Sequence, residues 1–207
     1  MPKLDNSTFP YKVALRKRAL ALLAECGVTS PVVCETHGGS GALFNACYAH
    51  LTEGMVFEMD STKSAKLGKQ RPTWAIYEAD CVAALAGGVG SHLTFDLLDC
   101  DPYGECWNVI EAFFTSQRPF ADFMVVAVND GLRQKLAMTG GWAVKSLAHV
   151  VERRGNDLHP VYLEVCRELL TEKAACAGYR VDHFGGFYAG DKKAMTQFLA
   201  VLQKRAS

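Results

Sequence analysis

The stretch 95–107, FDLLDCDPYGECW, sets Asp96, Asp99 and Asp101 within six positions, and the last runs at once into Pro102-Tyr103-Gly104. Such a run is either a polar turn closing a buried strand or a loop that grips a flat substrate. Acids upstream bear on the choice. Glu35 opens ETHGGSG in the pattern acid-x-x-x-Gly39-x-Gly41, and Glu58 and Asp80 lie in GMVFEMD and TWAIYEAD. Glycines allow a tight turn close beneath a ligand, and the helix that follows offers free N–H groups. An acid at position 35 can pair with an ammonium group. Glu58 can take both hydroxyls of a ribose, and Asp80 can accept from an exocyclic amine. The three together describe a pocket for an amino acid, a ribose and an adenine, with no place for phosphate.

Spacing weakens one commoner nucleotide site, leaving a redox Rossmann enzyme as the last reading, and excludes a second. A dinucleotide fingerprint needs a third glycine where Phe44 stands, and no Gly-Lys-Ser/Thr follows any glycine-rich loop. The eight cysteines form no CxxC pair. Most sit in apolar company, as Cys34, Cys47 and Cys166 do, so they read as reduced thiols of a cytoplasmic protein, with no metal site.

The elements that must carry these residues follow from the hydrophobic period. A first helix is expected over about 11–26; its basic, amphipathic sequence reads as a core-packing helix in preference to a transit peptide. MPKLDNSTFP lacks an apolar h-region, so no secretory signal is expected. β-Branched runs at PVVCE, GMVFEMD, TWAIYEAD, HLTFDLLDCD and ADFMVVAVND read as five strands alternating with helices. Within GALFNACYAHL, helical spacing puts Leu43, Cys47 and Leu51 on one face, and Ser61 reads as the cap of the helix STKSAKLGKQ. Two short helices are expected around LRQKLA and WAVKSLAHVVERR, then a long helix from about 159. YRVDHFGGFYAG and MTQFLAVLQK are too close for a crossover helix and must pair as an antiparallel hairpin. The fold class is therefore α/β: one domain over 1–207, with a Rossmann-like, doubly wound, mostly parallel seven-stranded sheet and a C-terminal antiparallel hairpin. In such a sheet ligands bind at the carboxyl ends of the strands, where the acids fall.

A formal net charge of zero argues against a strongly basic nucleic-acid binder. The runs Arg16-Lys17-Arg18, Lys63 to Arg71 and Arg153-Arg154 read as solvated helix faces. No apolar run is long enough for a bilayer, so no membrane partner is expected.

The constellation over about 28–204 resembles the class I S-adenosylmethionine-dependent methyltransferases. The resemblance implies S-adenosyl-L-methionine as cofactor. Glu35 and the Gly39–Gly41 loop would then hold its methionine part, and Glu58 the ribose, with Asp60 as a substitute and Met59 beside it. Asp80 and the backbone of Cys81 would read the adenine. His37 either packs over the cofactor or fills the loop. Asp101-Pro102-Tyr103-Gly104 is similar to the DPFG loop of tRNA guanine-N2 methyltransferases and, more loosely, to the DPPY loop of adenine methyltransferases. The implied catalytic set is Asp101, to accept hydrogens from an exocyclic amine, Pro102, to stiffen the loop, and Tyr103, to stack on an unpaired base of RNA or DNA. Cys100 is expected to point into the sheet. Asp96 and Asp99 serve the fold, and Asn129-Asp130 either line the substrate side or make a turn. The tRNA enzymes carry an additional RNA-binding domain that this sequence does not supply, so the expected substrate is short, is bound through a partner protein, or is not a nucleic acid. The competing readings are a methyltransferase acting on a small molecule or protein, and a non-catalytic partner protein that keeps the fold.

Overall fold

A computed structural model describes residues 8–133, 144–155 and 157–205. Five strands, β1 (Val33–Glu35), β2 (Gly54–Phe57), β3 (Ala75–Tyr77), β4 (Leu97–Cys100) and β5 (Phe123–Asp130), are parallel. β6 (Tyr179–Ala189) and β7 (Met195–Lys204) form the expected hairpin, and β7 inserts antiparallel between β5 and β6. The order is β3-β2-β1-β4-β5-β7-β6, so strand order reverses between β1 and β4.

Both faces of the sheet are covered, which is why its strands read as nearly continuous apolar runs. Alternation sorts them. Cys34, Met55, Leu98, Val126 and Phe198 face one core, under α3 (Cys81–Ala86), α4 (Trp107–Thr115), α5 (Ala148–Arg154) and α6 (Tyr162–Ala175). Val33, Val56, Leu97, Val125 and Leu199 face the other, under α1 (Phe9–Glu25) and the segment after β1, with Leu67 of α2 (Ser61–Gln70). The expected helix around LRQKLA lies, beyond Arg133, outside the described residues.

Local chemistry explains three departures. The segment after β1 winds as a π-helix over Phe44–Tyr48; Leu43, Cys47 and Leu51 are buried as expected, and the wider turn also buries Phe44 and Tyr48. Ser61 is not the cap of α2: Asp60 is extended and accepts from the Lys63 N–H at 3.0 Å. Two of the three basic runs read as solvated faces are split. Lys17 and Arg18 are exposed but Arg16 is completely buried; Lys66 and Lys69 are exposed but Arg71 is buried. The reason lies in the sheet.

Glu35 and Asp99 are partners across the β1–β4 ladder and so share a face. Two neighbouring carboxylates beneath α1 cannot be buried without cations. Arg16 meets Asp99 through Nε at 3.0 and 3.2 Å, and Arg71 pairs with Glu35. α1 thus seats by a stripe that changes character along its length: Lys12 and Arg16 at the strand ends, Ala19 and Leu23 over the apolar floor.

Candidate functional site

Where strand order reverses, a cleft of about 870 Å³ opens at the carboxyl ends of the strands. Glu35, His37, Gly39, Glu58, Met59, Asp80 and Cys81 line it on one side, and Asp101, Pro102 and Tyr103 on the other. Of the residues that the resemblance assigns to catalysis or to the cofactor, all reach this cleft except Gly41 and the substitute Asp60. That glycine has φ +81° and packs against Gln70 and Leu67, where a side chain would collide; it shapes the loop from behind.

The loop after β1 is held by side chains from elsewhere. Glu58, ending β2, accepts from the Gly39 N–H at 2.8 Å with one oxygen and from the Asp60 N–H at 2.9 Å with the other. Both oxygens are pinned and each keeps a lone pair for a hydroxyl. Gly39 has φ +53°, and open space surrounds the position a Cβ would take, so its backbone is bare toward the cleft. Asp60 is spent on its cap. Asp80 caps α3 through one oxygen, accepting from the Ala83 N–H at 2.8 Å.

Thr36 donates to the Asp99 carbonyl at 3.1 Å, so its oxygen accepts from His37 Nδ1 at 2.8 Å. Nε2 is then the acceptor that meets the Cys81 thiol at 3.8 Å. Burial lowers the His37 pKa against the pull of Asp101, Asp99, Glu58 and Asp80, so the ring is neutral at pH 7. It belongs to the cleft wall and ties the first loop to α3.

Glu35 is buried, with one oxygen on Arg71 and the other, Oε1, without a partner. Burial pushes its pKa up to about 7 against Arg71, and Asp99 adds to the rise. A buried carboxylate oxygen with no donor, on the wall of a cleft, is a place for a cationic group.

Asp101 is built differently. Lys12 reaches it at 2.6 and 3.0 Å, and Asn129 Nδ2 donates to Oδ1 at 2.7 Å. Arg16 Nη1 donates to Asn129 Oδ1 at 3.2 Å, which fixes the orientation of the amide. Tyr48 donates to Asp99 at 2.7 Å, closing a network Tyr48–Asp99–Arg16–Asn129–Asp101–Lys12. Burial opposes the charge on Asp101, but Arg16, Lys12 and Asn129 outweigh it and hold the pKa below the usual value. Oδ1 carries two donors, and Oδ2 keeps acceptor capacity.

The neighbouring residues settle into other roles. Asp96 accepts from the Val32 N–H at 2.8 Å, and Asp99 neutralises α1; both serve the fold. Cys100 is buried in the sheet. Neither Asn129 nor Asp130 lines the cleft: Asn129 stands behind Asp101, and Asp130 faces the opposite core, accepting from Leu132 N–H at 2.8 Å and Tyr162 at 2.5 Å. Sequence reasoning gave no site role to Lys12, Arg16 or Arg71, and it read Asn129 as substrate lining or a turn, whereas it supports Asp101 from behind. Arg16 had a signal, because it falls in the same helical stripe as Ala19 and Leu23.

The chain matches Trm1 from Pyrococcus horikoshii, solved with S-adenosyl-L-methionine, at a TM-score of 0.64 and 13% identity over 94% of this chain and 56% of that one. It matches the N-methyltransferase NodS from Bradyrhizobium japonicum WM9, solved with S-adenosyl-L-homocysteine, at 0.62 and 12% identity over 99% and 92%. TYW2 from M. jannaschii, solved with AdoMet, matches at 0.60 and 12% identity over 98% and 78%. The fold is a methyltransferase fold. No family model matches the chain, and no curated protein matches it in sequence. The chain therefore spans little more than half of Trm1 and nearly all of NodS. Among the described residues no helix is long and apolar enough to cross a membrane.

Proposed function

We propose that this chain is an S-adenosylmethionine-dependent methyltransferase whose acceptor is an exocyclic amine of a base in RNA or DNA. One observation carries the reading. A single cleft holds a donorless buried carboxylate oxygen on Glu35, a pinned carboxylate on Glu58 and, facing them, the ionised Asp101 beside an exposed Tyr103.

The residues fit the cofactor at each end. Glu35 Oε1 would take the ammonium and Glu58 the ribose hydroxyls, while the remaining oxygen of Asp80 would take the adenine amine. The cofactor supplies a methyl group already activated by a sulfonium, so what remains for the protein is positioning. Asp101 Oδ2 accepts an amine hydrogen, which orients the nitrogen and localises a lone pair otherwise delocalised into the ring. With the cofactor bound, that lone pair would form the N–C bond as the C–S bond breaks, the electron pair staying on sulfur. The surplus N–H proton leaves through Asp101 to water. Asp101, with its lowered pKa, is a weak base. Transfer remains downhill because an amine that has surrendered its ring-delocalised lone pair is a strong acid once protonated. Tyr103, 90% exposed, offers a ring for the base to stack on.

The test combines two measurements on the purified chain. Calorimetric titration should give binding to S-adenosylhomocysteine and none to NAD. Methyl transfer from labelled cofactor should then appear with RNA or DNA and be abolished by Asp101→Ala, with cofactor affinity nearly unchanged. Transfer to small amines or proteins alone would reassign the acceptor. Absence of cofactor binding would sink the reading and favour the non-catalytic partner.

A further inference from the structure

The large hydrophobic side chains exposed among the described residues are Tyr11, Met59, Tyr103 and Phe187, and they gather at one place. Met59 and Tyr103 line the cleft itself. Tyr11 lies on α1 between Phe9 and Lys12, both of which line the cleft. Phe187 lies on β6 just before the hairpin turn whose Gly190, Lys192 and Met195 line it too. Tyr11 and Phe187 touch, with ring centroids 5.9 Å apart and planes tilted by 59°. They are 52% and 38% exposed, and neither packs against a core cluster. Exposed apolar groups scattered singly need no explanation, but two in a cleft and a touching pair on the elements that border it mark a binding surface.

The same wall carries cations. Lys192 and Lys193 hold φ of +49° and +56°, a left-handed conformation that disfavours residues with a Cβ. The turn that results brings Lys192 to the cleft, with no ion-pair partner among the described residues. On this side Lys12, Arg133 and Lys192 stand against Asp101 and Asp191, and Asp101 is already neutralised by Lys12. The acids Glu35, Glu58 and Asp80 are all on the cofactor side. Arg133 is spent as a clamp: it donates to the Lys193 and His159 carbonyls and lies 3.8 Å over the Tyr188 ring, bracing the turn.

We infer that the wall formed by α1 and the hairpin turn is a binding track for single-stranded nucleic acid, in which a base flanking the methylated one stacks on one ring of the tilted Tyr11–Phe187 pair and packs against the edge of the other, and the intervening phosphate meets Lys192. The inference rests on the methyltransferase reading and extends it: the acceptor is a polynucleotide, and an isolated nucleotide is too short. Aromatic rings beside isolated cations are what sequence-tolerant single-strand binding requires, since each base has a π-face and each phosphate a charge. A chain with no net charge needs such a local track, because its overall field does not concentrate a polyanion.

Fluorescence anisotropy of the full chain with labelled single-stranded oligonucleotides of mixed sequence, in RNA and DNA forms, and with a labelled mononucleotide tests this. The oligonucleotide in its preferred sugar form should bind more tightly than the mononucleotide. Tyr11→Ala and Phe187→Ala should each weaken it on the order of tenfold, while Tyr11→Phe retains affinity. Lys192→Ala should flatten the slope of log affinity against log salt by about 0.7. All variants should bind S-adenosylhomocysteine as the parent does. An oligonucleotide that binds no better than the mononucleotide, or ring removals without effect, overturns the track. If S-adenosylhomocysteine binds in that case, only the track has failed. If it does not bind, the methyltransferase reading has failed as well.

Discussion

Arg16 is the residue on which the seating of α1 depends, and Arg16→Met isolates its charge while keeping much of its volume. In the parent, Asp99 accepts from Arg16 and Tyr48 and lies fully buried, as does Arg16. Removing the guanidinium leaves Asp99 with one neutral donor and Asn129 Oδ1 with none. Breaking one side of a buried pair in this way costs about 3–5 kcal/mol. That is a large share of the roughly 5–15 kcal/mol that holds a domain folded. At about 2–4 °C per kcal/mol for a chain of this size, the melting temperature should fall by roughly 6–20 °C. Two companion variants make the test specific. Lys17→Met, one residue away and exposed, should stay within about 0.5 kcal/mol of the parent. Adding Asp99→Asn to Arg16→Met should recover much of the loss, because the stranded charge is gone and an amide can still accept from Tyr48. Urea denaturation followed by far-UV circular dichroism measures all four proteins. If Arg16→Met unfolds like Lys17→Met, or if the double variant is no better than the single, α1 is held by Leu15, Ala19 and Leu23 alone and the ionic seat is wrong.

Two further predictions concern the cleft. Glu35 has a pKa raised to about 7, and an ammonium group beside Oε1 favours its charged form, so binding should expel a proton when Glu35 begins protonated. Affinity for S-adenosylhomocysteine should fall as pH drops through 7 and level off above it; calorimetry in buffers of different ionisation enthalpy reads the released proton, and Glu35→Gln should remove the dependence. Lys12 helps to hold the Asp101 pKa down. Lys12→Met should therefore move the acid limb of the methyl-transfer rate profile to higher pH, Lys12→Arg should largely restore it, and an unmoved limb would exclude Lys12 from this role.

The strands and their order of chemistry were legible because alternation and β-branching are local. Val33, Val125 and Leu199 announce one face, and Cys34, Val126 and Phe198 the other, before any partner is known. The hairpin followed from the distance between 189 and 195, too short for a crossover. The acids at the strand ends were legible for the same reason: a carboxylate after a buried run has nowhere to go but the edge of the sheet. Their division of labour was not. Asp99 and Asp101 are two residues apart on one face, yet one is buried under Arg16 and the other faces the cleft.

What separates the two acids is the helix above them. α1 contributes a guanidinium over Asp99 and, one turn earlier, an ammonium over Asp101 at the mouth, with residues 83 and 89 positions apart in the chain. Charge read along a sequence treats Arg16-Lys17-Arg18 as one patch, whereas the helix turns each of the three in a different direction. The better signal is angular. A cation on the apolar stripe of a helix can stay buried only by meeting an acid, so Arg16, aligned with Ala19 and Leu23, demands a buried carboxylate from the sheet. Once Asp99 has answered that demand, Asp101 is the acid left for the cleft.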